Sequence, residues 1–325
     1  MTIVTNTFET FSAIGNREDL TDIIWNISPV DLPLQANIGK TKATAVLHEW
    51  QRDQLAAAAA NAQIEGDDSS TASFFTAVTA TVRLSNRTQI SYKNVIVSGT
   101  QDAVNKAGRK KEITLQLMKR SKELKRDCEF VLLQTAVPST GSATQGRALR
   151  SLTNWYGDSA GGGIPSSTNV SRGASGSSGS ATQAVTDGTA RAVTESLLKS
   201  VIQAVWTNGG DPDLIMTGPF NKTQLSTFTG NNTRIQDTAD GKLNTAIDVY
   251  VSDFGTHKVI ANKFQRDRDI HVLTTDLLAV ADLRPFQTID LSKTGDNEKG
   301  MVLREYTLEC RNDAGLGIVA DVTTS

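Results

Sequence analysis

An α+β fold is the class this sequence predicts, and three segments predict it. From Ile247 to Val322, short runs of alternating apolar and polar residues are joined by tight turns, the pattern of half-buried antiparallel strands. From residue 104 to 136 a proline-free stretch repeats apolar residues at helical spacing. Between these, from Val193 to Phe228, a helix, a short apolar strand and a second helix follow one another.

Residues 1–42 read as an extended arm, with Pro29 and Pro33 and one helical turn around Asp19 to Ile24. Such an arm seldom stabilises its own subunit. Residues 43–99 then make a long excursion. One limb covers Val46 to Gln63, a polar tip runs from Glu65 to Ser70, and a return limb alternates through Val78, Ala80, Val82 and Leu84. The alanines from Ala56 to Ala60 supply only methyl groups, so an isolated two-stranded ribbon of this kind is marginal in water and needs a surface to lie on. In the helix at 104–136, Ile113, Leu117, Leu124, Cys128 and Val131 form one stripe. Arg109, Lys110, Lys111, Lys119, Arg120, Lys122, Lys125 and Arg126 crowd the other faces. At full length this rod spans about 45–50 Å. It stops before Pro138, and Ser, Thr and Gly then dominate to about Asp187, with Gly161 to Gly163 and Ser171 to Ser180 as loop material.

The second unit opens with Leu197, Leu198, Val201, Ile202 and Val205 on one helix face, ending at Asn208-Gly209-Gly210. Leu214 to Met216 is a short buried strand, and Pro219 takes the first turn of another helix carrying Leu225 and Phe228. Ile247, Val249 and Val251 alternate with Asp248, Tyr250 and Ser252 before the turn at Asp253-Phe254-Gly255. Near the end, Val302, Arg304, Tyr306, Leu308 and Cys310 share one strand face. Leu303, Glu305, Thr307, Glu309 and Arg311 share the other, which is expected to show its charge to solvent or to another subunit.

Composition narrows the function. With 33 basic and 35 acidic residues the net charge is −2, against a dedicated nucleic-acid binder, whose phosphate contacts need a concentrated basic surface. The two distant cysteines, Cys128 and Cys310, make no disulfide framework and read as reduced thiols of a cytosolic product. The first residues resemble no export signal, and no apolar run is long enough to span a bilayer. Gly39-Lys40-Thr41 lacks the glycine five positions upstream that a phosphate loop requires, since Leu34 stands there. Asp253-Phe254-Gly255 has no accompanying kinase loops and reads as a hairpin turn. His48, His257 and His271 show no metal-ligand spacing, and no nucleophile or carboxylate pair sits where its geometry would be held. The expectation is a protein without catalytic residues, metal or cofactor.

An arm, a projecting ribbon, a long charged helix and an α+β unit whose chain returns as long strands suit a shell better than a monomer. The wording of the C-terminal third is specific: VYVSDFG, NKFQ, LRPFQT, KTGD, EYTLE and RN occur in order. In these motifs and in the order of its elements, from about residue 40 to 322, the chain resembles the major capsid proteins of tailed double-stranded DNA bacteriophages, with the Hong Kong 97-type fold.

The resemblance implies an N-terminal arm (1–42), an E-loop (43–99), and a P-domain (100–189) with its spine helix at 104–136 and the Gly/Ser-rich loop. An A-domain (190–280) follows, and return strands of the P-domain and the C-terminus occupy 281–325. It implies a virion protein, assembled in the host bacterial cytoplasm through hexamers and pentamers into an icosahedral shell around packaged double-stranded DNA. The implied partners are itself, a portal protein, scaffolding and decoration proteins, and DNA in nonspecific contact, with no membrane. One departure stands out: no lysine lies between Ala45 and Tyr92, so a covalent weld through the E-loop is not expected. The acidic tip, Glu65, Asp67 and Asp68, is instead expected to dock on Arg109, Lys110 and Lys111 of an adjacent subunit by opposite charge. Two other readings remain open, an encapsulin-type protein compartment and a secreted or surface adhesion module. A hydrolase finds no nucleophile, base or metal set.

Overall fold

Two mixed sheets, one long helix and a two-stranded ribbon carry the chain in the computed structural model, which describes residues 31–53, 80–156, 169–228 and 249–324, with Thr7 and positions 55, 56, 58–60, 62, 65 and 66. The helical turn expected at Asp19 to Ile24, most of the ribbon tip and Gly161 to Gly163 lie outside the described residues.

The chain enters through α1 (Pro33–Asn37) and β1 (Gly39–Lys42), so Gly39-Lys40-Thr41 is strand rather than phosphate loop. The ribbon pairs β2 (Leu47–Arg52) with β3 (Val82–Arg87), and β4 (Gln89–Ser98) continues from it into the first sheet. After α2 (Gly99–Ala103) comes the long helix α3 (Glu112–Leu133). This corrects the helix expected from residue 104. Gly108 takes a φ of +74°, which breaks the helical path, and Asp102 Oδ1 accepts the Glu112 N–H at 2.7 Å to start a new helix there. The rod is 22 residues, or about 33 Å.

Next come β5 (Val170–Ser171), α4 (Glu195–Thr207), β6 (Leu214–Thr217) and α5 (Pro219–Leu225). Then follow β7 (Val249–Ser252), β8 (Gly255–Ala261), β9 (Ile270–Leu273), β10 (Leu278–Leu291), β11 (Asn297–Cys310) and β12 (Gly317–Val319). The first sheet has the order β1-β10-β11-β4, and the second β5-β12-β9-β6-β8-β7. In β10 the ladder shifts register on both sides of Arg284, beside Pro285, whose missing N–H suits an irregular position. The C-terminal residues do not all return to the first sheet. Strand β12 sits between β5 and β9 in the second, because its Gly317, Ile318 and Val319 are fully buried under α4.

The arm also differs from expectation, since its base is part of the subunit's own core. Leu34 is fully buried, and the Glu129 carboxylate of α3 caps α1 by accepting the Leu34 N–H at 2.7 Å and the Gln35 N–H at 3.2 Å. Asn262 Nδ2 and Gln35 Nε2 complete the same carboxylate at 2.9 and 3.1 Å.

The charged face of β11 is a second correction. It is covered, not shown. Glu305 receives Arg147 at 2.5 Å, Arg284 at 2.8 Å and the Thr88 hydroxyl at 2.9 Å. Glu309 receives Thr41 at 2.8 Å, His48 at 3.1 Å and Arg311 at 3.0 Å. Burial raises the Glu309 carboxyl, but these three donors outweigh it and hold it below the ordinary range. On the other face Arg304 pairs with both oxygens of Asp282 and lies over the rings of Phe286 and Tyr306, at 4.7 and 4.8 Å.

The ribbon root is therefore seated on its own subunit as well. Trp50 Nε1 donates to the Cys310 carbonyl at 2.7 Å, Arg52 pairs with Asp313 in a buried contact, and Asn86 Nδ2 bonds the Leu308 carbonyl at 2.8 Å. The surface the ribbon needs is, at this root, its own subunit.

The Ser-rich stretch after Ser171 is ordered, because the Asp321 carboxylate gathers the Gly173 and Gly188 N–H groups at 3.1 and 2.9 Å. Its hairpin repeats an earlier one. Gly141-Ser142-Ala143-Thr144-Gln145 and Gly179-Ser180-Ala181-Thr182-Gln183 are the same pentapeptide, and in both the first serine N–H donates to the glutamine carbonyl at 2.8 Å. In both, the serine hydroxyl accepts the threonine and glutamine N–H groups.

Beneath the second sheet, Tyr156 Oη lies 2.9 Å from His271 Nδ1 with the rings stacked. Burial, reinforced by Arg266 and Arg172, pushes His271 down to about 3, while burial pushes the neighbouring Asp269 carboxyl up to about 6 against the pull of the same arginines. The two act oppositely on stability. Below the ordinary histidine value of 6.5 the unfolded chain binds a proton that the folded His271 refuses, so acidification destabilises. Asp269 holds its proton in the folded state up to about 6, so the same acidification stabilises there, by a smaller shift. The His271→Asn protein is therefore expected to lose about 3 kcal/mol less stability than wild type between pH 6.5 and 4, read by urea unfolding of unassembled protein. An identical pH profile would exclude His271 as the source.

Candidate assembly surface

Of the six residues expected to join neighbouring copies, the structure places four. Glu65 is exposed on a turn whose next residue, Gly66, has φ +80°; Asp67 and Asp68 lie outside the described residues. Arg109, Lys110 and Lys111 come together between α2 and the first turn of α3. They are not equivalent. Arg109 is half-buried and already paired with Glu112 of its own helix, with a further bond to the Ala107 carbonyl at 3.5 Å. Lys110 and Lys111 are exposed and meet no carboxylate among the described residues, so the free charge at this corner is theirs.

The apolar part of the surface escaped the sequence reading. Strand β7 was expected to bury Ile247, Val249 and Val251. Ile247 lies outside the described residues, and the parity of the other two is inverted: Tyr250 is buried, with Val249 and Val251 57% and 54% exposed. Tyr250 stacks on His257 and reaches Glu195 of α4 at 3.4 Å, which fixes that face inward. Among the described strands β7 is the outermost of its sheet, and its two valines point out from it. At the same end of this sheet, the exposed Trp206 of α4 packs on Phe254 of the Asp253-Phe254-Gly255 turn, 5.2 Å between ring centroids. Gly255, at φ +142°, makes that turn.

The first sheet has a similar edge. Along β4, Val95 and Val97 face inward while Ile90, Tyr92 and Ile96 face out, the last two 57% and 63% exposed. Between this strand and α3 runs a groove of about 500 Å³, lined by Ile90, Tyr92, Leu124, Phe130 and Val131. The Lys93–Asp127 pair crosses it at 2.7 Å. Exposed aromatic and aliphatic side chains grouped on edge strands are what a protein interface uses for its buried centre.

Among the described residues no group of His, Cys, Asp and Glu is placed to hold a metal ion. Each histidine has a structural occupation: His48 on Glu309, His257 between Ser252 and the Pro212 carbonyl, His271 on Tyr156. Cys128 and Cys310 are buried free thiols, and burial pushes Cys310 up to about 12, far from a nucleophilic thiolate at neutral pH. No helix among the described residues is long and apolar enough to cross a membrane.

A family model described as SU10 major capsid protein matches residues 3–323. The major capsid protein of Escherichia phage Phieco32 is 26% identical over 351 residues, covering 96% of this chain and 96% of that protein. Among solved structures, the Cyanophage A-1(L) capsid asymmetric unit superposes with a TM-score of 0.66 at 13% identity, over 98% of this chain and 99% of the other. The capsid of a native GTA particle gives 0.62 at 9% identity, over 95% and 96%.

Proposed function

From the premise that this chain belongs to the SU10 major capsid protein family, we propose how it builds its shell. The chain is a phage major capsid protein of the Hong Kong 97-type fold, a structural protein of the virion that associates with its own copies. The match along residues 3–323 carries this conclusion, and it favours a capsid over the encapsulin-type compartment and over the adhesion module.

The finer reading is ours. Copies join as hexamers and pentamers, the shell encloses double-stranded DNA, and a portal protein occupies one vertex, with scaffolding or decoration proteins as further partners. The protein has no catalytic role. Residues 43–99 act as the E-loop and 190–280 as the A-domain, so the edge formed by β7, Trp206 and Phe254 lies where copies meet around an axis. The acidic tip, Glu65, Asp67 and Asp68, docks on a neighbour's Lys110 and Lys111, with Arg109 contributing less because Glu112 already neutralises it.

Negative-stain electron microscopy of the overexpressed protein, alone and with the products of neighbouring genes, is expected to show closed shells. Protein that stays dispersed under every combination would sink the reading. Changing Glu65, Asp67 and Asp68 together to lysine is expected to lower shell yield and heat stability. Shells of unchanged yield and melting behaviour would remove the tip from the interface.

A further inference from the structure

Helix α3 presents cations at its start and again along one of its faces. Its Leu117, Leu124 and Cys128 belong to or pack on the core beneath the first sheet. On the opposite side Lys119, Lys122 and Arg126, three and four residues apart, stand one above another. Lys119 and Lys122 are exposed, and among the described residues neither meets a carboxylate. The acids of the helix are committed elsewhere: Glu112 to Arg109, Glu123 to Arg120 at 2.6 Å, Asp127 to Lys93, and Glu129 to the amides of α1. Arg126 lies over the Phe264 ring at 5.6 Å, and the residue before that phenylalanine is the exposed Lys263. In a chain whose net charge is −2, this is a local basic row with no counter-charge of its own.

We propose that this row of α3 faces the packaged duplex and contacts its phosphates, which makes it the inner face of the subunit in the shell. The inference rests on the capsid reading. Charge complementarity selects the occupant: although Met118 and Phe130 are exposed on the same helix, the row itself offers cations that meet no carboxylate among the described residues, the requirement of a polyanion. From Lys119 to Arg126 it extends about 10 Å along the helix, enough to follow one strand over about three phosphates. Contacts of this kind position the duplex without reading its sequence.

The test uses the full-length unassembled protein and a short labelled DNA duplex, with binding read by fluorescence anisotropy over a range of NaCl concentrations. Three proteins are compared with wild type: Lys119→Gln/Lys122→Gln/Arg126→Gln, the pair Lys119→Gln/Lys122→Gln, and the pair Lys110→Gln/Lys111→Gln. The slope of log affinity against log salt is expected to flatten by about 2–3 in the triple variant and about 2 in the first pair. It is expected to stay unchanged in the second pair. An unchanged slope in the triple variant overturns the proposal, as does an equal loss in the 110/111 pair, which would mean general attraction to any lysine. A triple variant that keeps its DNA binding but no longer forms shells would make the row a contact between copies, and overturns it too. Shell formation by wild type, scored separately by microscopy, decides the capsid reading whatever the slopes show.

Discussion

Glu129→Ala is expected to lower the stability of the unassembled subunit by about 3–5 kcal/mol, the effect of removing one partner from a fully buried charged contact. The reason is the number of donors that converge on one carboxylate. The Leu34 and Gln35 amides, the Gln35 side chain and Asn262 all point at it, and none of them gains a substitute when it is removed. Glu129→Gln keeps one acceptor oxygen and turns an NH₂ toward donors, so about half the loss is expected. Chemical denaturation gives the magnitude, and hydrogen exchange gives the location: the Leu34 and Gln35 amides should lose protection before the sheets do. A loss below about 1 kcal/mol would show that water replaces the carboxylate and that α1 is not held from α3.

Arg52→Ala should be comparably severe, at about 3–5 kcal/mol. Arg52 and Asp313 are both nearly inaccessible, and deleting the cation takes a buried charged partner from the carboxylate beneath the ribbon. The Trp50–Cys310 and Asn86–Leu308 bonds then hold the root without its buried ion pair. Beyond the drop in melting temperature, the variant should be cut by protease between β2 and β3 faster than wild type, because the root opens. Arg52→Met, which restores volume without charge, should recover only the packing share. Stability equal to wild type in either variant would mean that the root is not anchored by this pair.

These two sites also show where the sequence was legible. Helix α4, strand β6 and the start of helix α5 follow from local signals, the 3.6-residue stripe, the apolar run Leu214 to Met216 and a proline at the first turn, while α5 ends at Leu225, short of the Phe228 it was expected to carry. The C-terminal motifs pointed to the family. What local pattern does not encode is which side of a strand a distant segment will cover. Glu305 and Glu309 read as a solvent face because their partners, Arg147, Thr41 and His48, come from more than 150 residues away. Nothing local singles out Glu129 either, since its partners Leu34, Gln35 and Asn262 lie more than 90 residues away. Tyr250 and Val249 exchanged places because an aromatic ring with a hydroxyl suits the space beside His257 and Glu195 better than a valine does. The repeated Gly-Ser-Ala-Thr-Gln turn was present in the sequence and could have been found by comparing the chain with itself.

Strand β12 lies between β5 and β9, inside its sheet, and is the last strand to leave the ribosome, and this sets a clock on production. While the ribosome is still making the preceding part, β5 and β9 have no strand between them and α4 lacks the surface beneath it. Pairings that span so much sequence form late and slowly. The β5–β12–β9 side of this sheet thus closes only when synthesis has passed residue 319, and until then the growing polypeptide carries an open seam that must be kept from the wrong strands.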